Sequence, residues 1–127
     1  MKDETHLWLT YAEENLEMAR LALERGYFNA CLQNAQQAVE KALKAVLIGK
    51  RGEFPKTHSI QELVRVAAGE KVLAEITTEE CNLLDSIYIP SKYPVFGVLP
   101  KQFADSKTAV QCVDIAERVM AGIRGQL

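Results

Sequence analysis

The segment from Tyr27 to Gly49, YFNACLQNAQQAVEKALKAVLIG, holds no proline and no internal glycine, and good helix formers dominate it. Phe28, Cys31, Leu32, Ala35, Val39, Ala42 and Val46 recur at intervals of three and four, so a single helix would bury them as one stripe. At 1.5 Å rise per residue that helix is roughly 35 Å long, about the width of a small domain. Gln33, Gln36, Gln37, Glu40, Lys41 and Lys44 fall on its other faces. Glu40 precedes Lys44 by four residues, the favourable order for an ion pair along a helix. The spacing therefore predicts a central helix with one apolar seam and one glutamine-rich face, around which the remaining elements pack.

Charge and cysteine usage narrow the function classes. The chain has 127 residues, a formal net charge of −2, 48% apolar and 25% charged residues. One all-α domain over residues 1–127 is expected, long enough to bury about two thirds of its unfolded surface. With no global excess of positive charge, any nucleotide or RNA site must be a local basic patch. Cys31, Cys81 and Cys112 are far apart and lack CxxC spacing, which fits free, packed thiols in a reducing cytoplasm. His6 and His58 are the only histidines, and neither stands in a Glu-x-x-His pair, so neither a di-iron bundle nor a four-ligand zinc site is expected. No apolar run approaches the roughly 20 residues needed to cross a bilayer.

In chain order, a first helix is expected from Asp3 or Thr5 to Arg25, with acids at its start and Gly26 as its stop. Its inner stripe reads Trp8, Ala12, Leu16, Ala19 and Leu23, with Tyr11 and Met18 beside it as core. Gly26 allows almost no loop before the central helix, which forces an antiparallel hairpin. The central helix ends at Gly49-Lys50-Arg51-Gly52, and Pro55 prevents its continuation. Ser59 and Glu62 form a capping box for a third helix that ends at Gly69. Residues 70–76 read as a turn with a short helical piece. Thr77 and Glu80 form a second capping box, opening a fourth helix that Pro90 closes. A last helix begins at Asp105 or Ser106 and buries Ala109, Cys112, Val113, Ala116, Val119, Met120 and Ile123. The result is an up-and-down bundle of about five helices.

Two connectors carry the residues of chemical interest. KRGEFPKTH holds Lys50, Arg51, Lys56 and His58 against one acid, Glu53, and the proline-rich stretch 89–103 holds Lys92, Tyr93 and Phe96. If both lie at one end of the bundle, Lys50, Arg51, Lys56, His58, Lys92 and Tyr93 make an anion patch with an aromatic surface for a base. The plainer expectation is that His58 bonds backbone at the start of the third helix, while the cations sit on the carbonyl end of the central one. Gln36, Gln37, Glu40, Lys41 and Lys44 are the candidates for a partner or dimer surface.

Several blocks resemble the HEPN domain family. Gln36-Gln37-Ala38-Val39-Glu40-Lys41 followed by Lys44-Ala45 is similar to its QQAxEKxxKA signature. Trp8, Ala12 and Ala19 match its first helix, Gly26-Tyr27 its turn, and Pro55-Lys56-Thr57-His58 with Leu63 its Pro-x-Thr-His connector. Tyr88, Lys92, Tyr93 and Pro94 match a Tyr-x-x-x-Arg-Tyr-Pro element, except that Lys92 stands where the family has arginine. Lysine keeps the charge but loses the planar fork that grips phosphate through two hydrogen bonds.

The resemblance implies a dimeric four-helix-bundle core, association with a nucleotide or RNA, and a minimal nucleotidyltransferase partner in a toxin–antitoxin pair. It also implies an alternative, since some members are metal-independent ribonucleases with an Arg-x(4–6)-His motif. Arg51 and His58 have that spacing, with His58 to move a proton and Arg51 to steady phosphate charge. A structural adaptor without catalysis is the third expectation.

Overall fold

The computed structural model describes residues 3–92 and 104–127. It contains five helices: α1 (Asp3–Arg25), α2 (Phe28–Arg51), α3 (Ile60–Gly69), α4 (Thr78–Lys92) and α5 (Ser106–Arg124). Gly26 and Gly52, both at positive φ, end α1 and α2. The Gly52 amide donates to the Ile48 carbonyl as the left-handed cap of α2.

Both predicted capping boxes form in part or in full. The Ser59 hydroxyl accepts from the Glu62 amide at 3.1 Å. At the start of α4, Thr77 and Glu80 exchange side-chain and amide bonds of 2.9 and 3.1 Å. Asp105, not Ser106, caps α5 by accepting from the Thr108 amide.

Four long helices alternate in direction. Asn15 bonds Asn34 and Lys41, and Thr5 lies against Gly49, so α1 and α2 are antiparallel. Arg20 pairs with Glu117 and Arg124 with Glu13, which sets α5 antiparallel to α1. Helix α4 runs against α5, because Leu73, Glu75 and Glu80 meet Gln126, Gly122 and Arg118 in turn. The connector after α2 doubles back, and the short α3 then descends beside α2.

Every other helix packs on α2. That explains a departure from the single-seam expectation: beyond Ala38, α2 is buried nearly all round, including Leu43, Ala45, Leu47 and Ile48. Gln36, Glu40 and Lys44 are buried too, so these three present no partner or dimer surface; Gln37 and Lys41 are half-buried.

Other differences are local. Leu9 joins the α1 core, whereas Tyr11 and Met18 face out. The buried stripe of α1 runs Thr5, Leu9, Ala12, Leu16 and Ala19, rotated from the expected one toward α2 and α5, the helices on which α1 packs. Residues 72–77 contain no helical turn; Gln126 ties their backbone down by bonding both the amide and the carbonyl of Leu73. Pro90 lies inside α4, two residues before its end. Proline removes one helical hydrogen bond and crowds the preceding turn, a cost the final turn can bear better than a helix centre. Among the described residues, no helix is long and apolar enough to cross a membrane.

Arg118 makes two 2.8 Å bonds to the Glu80 carboxylate. These bonds, chiefly, hold the Glu80 carboxyl down from its ordinary 4.5 to about 2; burial opposes them, and the Thr77 amide adds to the lowering. A carboxyl depressed on folding stabilises the fold above its unfolded pKa and stops doing so as pH falls through the folded one. Thermal melts between pH 6 and 2 should therefore lose stability from about 4.5 downward. Arg118→Ala should cost about 1 kcal/mol at neutral pH and flatten part of that loss. Burial pushes the thiols of Cys31 and Cys81 up to about 11 and that of Cys112 up to about 12. All three should resist iodoacetamide at pH 8 in the native protein and react fully in guanidinium.

Candidate functional site

Helix α2 carries one carboxylate into the core at its midpoint. Glu40 has a side chain 4% exposed, and three groups meet it. Its Oε2 accepts from Lys44 Nζ at 2.8 Å and is 3.0 Å from His58 Nδ1; its Oε1 accepts from Gln36 Nε2 at 3.1 Å. A carboxylate so buried is tolerable only when paired and hydrogen-bonded, and here the requirement is met by one helix plus one connector residue. The predicted Glu40–Lys44 pair thus forms, but in the interior.

Lys44 is enclosed by aromatics. Its ammonium lies 5.0 Å from the Phe54 ring centroid and 5.9 Å from that of Trp8, and the two rings meet edge to face at 5.2 Å. Phe54 belongs to the connector and Trp8 to α1, so the charge pair is sealed by two separate parts of the fold.

His58 forms the outward end of this arrangement. Its side chain remains 58% exposed, its ring stacks on Tyr88 of α4 with centroids 4.6 Å apart, and its Nδ1 is taken by Glu40. Because the Glu40 carboxylate can only accept, Nδ1 donates and Nε2 faces away. The expected backbone bond of His58 is therefore not the one made. The start of α3 is served instead by Ser59 and by Asp85 of α4, whose carboxylate accepts from the amides of Ile60 at 2.6 Å and Gln61 at 3.3 Å. Asp85 thereby fills the seat that a phosphate would take at a helix N-terminus. His58, Ser59, Asp85 and Tyr88 line a shallow pocket of about 330 Å³.

The five anion-site candidates among the described residues divide into two groups. His58, on the connector, stacks on Tyr88; Lys56 precedes it by two residues along the chain, and the backbone of Lys92 is one helical turn beyond Tyr88. Lys50 and Arg51 lie in the last turn of α2, roughly 15 Å below the level of Glu40 by helical rise. Arg51 faces Glu53 at 3.6 Å instead of His58. The first connector climbs back along α2 before α3 begins, so it brings His58 to the level of Glu40 at mid-helix. Tyr93 and Phe96 lie outside the described residues.

Sequence reasoning missed Asp85, Trp8 and Phe54 as parts of this site. Asp85 has no local signal, since its partners stand 24 to 26 residues away. Tyr88 was visible only as part of a spaced motif.

Removing one partner of a buried pair strands the other. Lys44→Met should destabilise by about 3 kcal/mol. Adding Glu40→Leu should cost less than the two separate losses combined, as a double-mutant cycle in urea would measure.

The HEPN domain model matches residues 5–126. The protein named "Putative toxin MJ1304" of Methanocaldococcus jannaschii is 30% identical over 129 residues, covering 93% of this chain and 84% of that protein. The crystal structure of TT1696 from Thermus thermophilus superposes with a TM-score of 0.80 at 26% identity, over 99% of this chain and 100% of the other. ST0689, described as an archaeal HEPN homologue, gives a TM-score of 0.66 at 28% identity over 99% and 98% of the two chains. A family model spanning almost the whole sequence, on a five-helix bundle that carries the signature residues in its centre, places this chain in the HEPN domain family.

Proposed function

We propose that the chain is a HEPN-type binding module of a toxin–antitoxin-like pair. In this reading it works as a homodimer with a minimal nucleotidyltransferase partner and binds the bases and phosphates of a nucleotide or RNA strand. The observation that carries the reading is the pinned His58, held by a buried carboxylate on one nitrogen and stacked on Tyr88, with most of its ring open to solvent. Such a ring is a ready surface for base stacking. Lys56 precedes it by two residues along the connector, and the backbone of Lys92 is one turn of α4 beyond Tyr88. Lys50 and Arg51, farther down, would reach only a ligand with several phosphates, which favours an RNA strand over a mononucleotide. The M. jannaschii relative, named as a candidate toxin, supports the toxin side of the pair.

A second reading, a metal-independent ribonuclease, is favoured by the Glu40–His58 bond. It fixes the tautomer and leaves Nε2 free to exchange a proton with a 2′-hydroxyl or leaving oxygen. Arg51 would steady phosphate charge only after leaving Glu53.

Anisotropy with labelled single-stranded RNA, in a salt series, tests the first reading. Binding should weaken as salt rises, and His58→Ala with Lys56→Ala should weaken it about tenfold while Lys50→Ala lowers the salt slope. Absence of binding to RNA and nucleotides, alone and with the partner present, would sink it. RNA cleavage in excess chelator, lost in His58→Ala, would establish the second; cleavage retained by that variant would remove His58 from the chemistry.

A further inference from the structure

Half of the glutamine-rich face of α2 (Gln36, Glu40 and Lys44) is closed inside the bundle and Gln33, Gln37 and Lys41 reach the surface only in part, whereas α1 carries an exposed face of unusual composition. Among the described residues, eight large apolar side chains are well exposed; four of them, Leu7, Tyr11, Met18 and Leu21, are on α1. With Glu14 and Arg25 they stand at positions 7, 11, 14, 18, 21 and 25, the alternating four-and-three spacing of a helix–helix seam. All six are exposed, and they lie on the side of α1 turned away from its buried stripe of Thr5, Leu9, Ala12, Leu16 and Ala19. A helix thus apolar on two opposite faces has one face more than its own bundle uses.

The half of this seam toward the end of α1 borders a groove of about 270 Å³ between α1 and α2, walled by Met18, Leu21, Ala22 and Tyr27. The half toward the start of α1 offers Leu7 and Tyr11, two protruding side chains suited to filling such a groove.

We propose that this face is where a second copy of the chain docks, with the two α1 helices antiparallel about an axis between Glu14 and Met18. The inference rests on the homodimer reading above and adds its location. The positions are self-complementary: 7 meets 25, 11 meets 21, and 14 meets 18, as an isologous two-fold contact requires. Charge selects the antiparallel order. Asp3 and Glu4 open α1 and Arg25 closes it, so antiparallel pairing sets each Arg25 beside the partner copy's acidic first turn. Parallel pairing would instead oppose acid to acid and Arg25 to Arg25. The antiparallel order also aligns the two helix dipoles favourably. The Tyr11 ring of each copy then enters the other's groove near Met18 and Leu21. The face runs the length of α1, roughly 35 Å, on the scale of an interface of about 800 Å² per partner.

Analytical ultracentrifugation of the full chain across a concentration series provides the test. The wild-type chain should dimerise, and Met18→Glu with Leu21→Glu should raise the dimer Kd at least about tenfold with an unchanged far-UV spectrum and melting temperature of the monomer. Arg25→Glu should weaken the dimer, and Asp3→Lys with Glu4→Lys in that background should restore it. A wild-type chain that stays monomeric overturns the homodimer reading and this inference together. A dimer indifferent to both sets of variants overturns the α1 surface alone and leaves the homodimer standing.

Discussion

The carboxylate of Glu40 is the group on which the centre of this molecule depends. It is carried to the middle of the most heavily packed helix, where an unpaired charge would be prohibitively costly. Gln36 and Lys44 answer it from the adjacent turns of the same helix, and His58 reaches in from the connector. Lys44 then requires shielding of its own, which the rings of Trp8 and Phe54 provide. One buried charge thus draws α1, α2 and the connector into a fixed relation. A purely apolar pairing of the same size would tolerate sliding; a hydrogen-bonded ion pair does not, because its geometry is directional.

Function, in the proposed reading, grows from the outer edge of the same network. A histidine on a glycine- and proline-containing connector would ordinarily sample many rotamers. Here a buried acceptor holds one nitrogen and a tyrosine face holds the ring, so the remaining nitrogen has a defined direction. The interior therefore does two things at once: it locks the fold and it orients a solvent-facing group. Asp85 plays a complementary part by occupying the start of α3, which leaves stacking and the surrounding cations, not a helix N-terminus, as the means of holding a ligand.

The first helix shows how the same residue types serve two purposes. Ala12, Leu16 and Ala19 are small or branched enough to let α1 lie close on α2, with which it makes the broadest contact in the molecule. Leu7, Tyr11, Met18 and Leu21 are larger and face the other way. From the sequence alone both sets are simply apolar, and Met18 and Tyr11 read as core. Only the positions of the neighbours reveal that, among the described residues, one set is buried and the other exposed.

Much of the fold was legible because it is governed by local rules. The extents of α1 and α3, the glycine stop at Gly26, the Thr77–Glu80 box and the Glu40–Lys44 spacing all depend on residues within a turn or two of each other. The family signature was legible for the same reason, being a set of short blocks in order. What the sequence could not decide was direction and depth. Whether Gln36, Glu40 and Lys44 face water or the interior depends on how many helices surround α2. Whether Arg51 and His58 meet depends on a connector that climbs back along the bundle. Asp85 and Phe54 acquire their roles from partners far along the chain. These are consequences of long-range packing, in which burial rather than periodicity chooses the partner, so they belong to the tertiary structure alone.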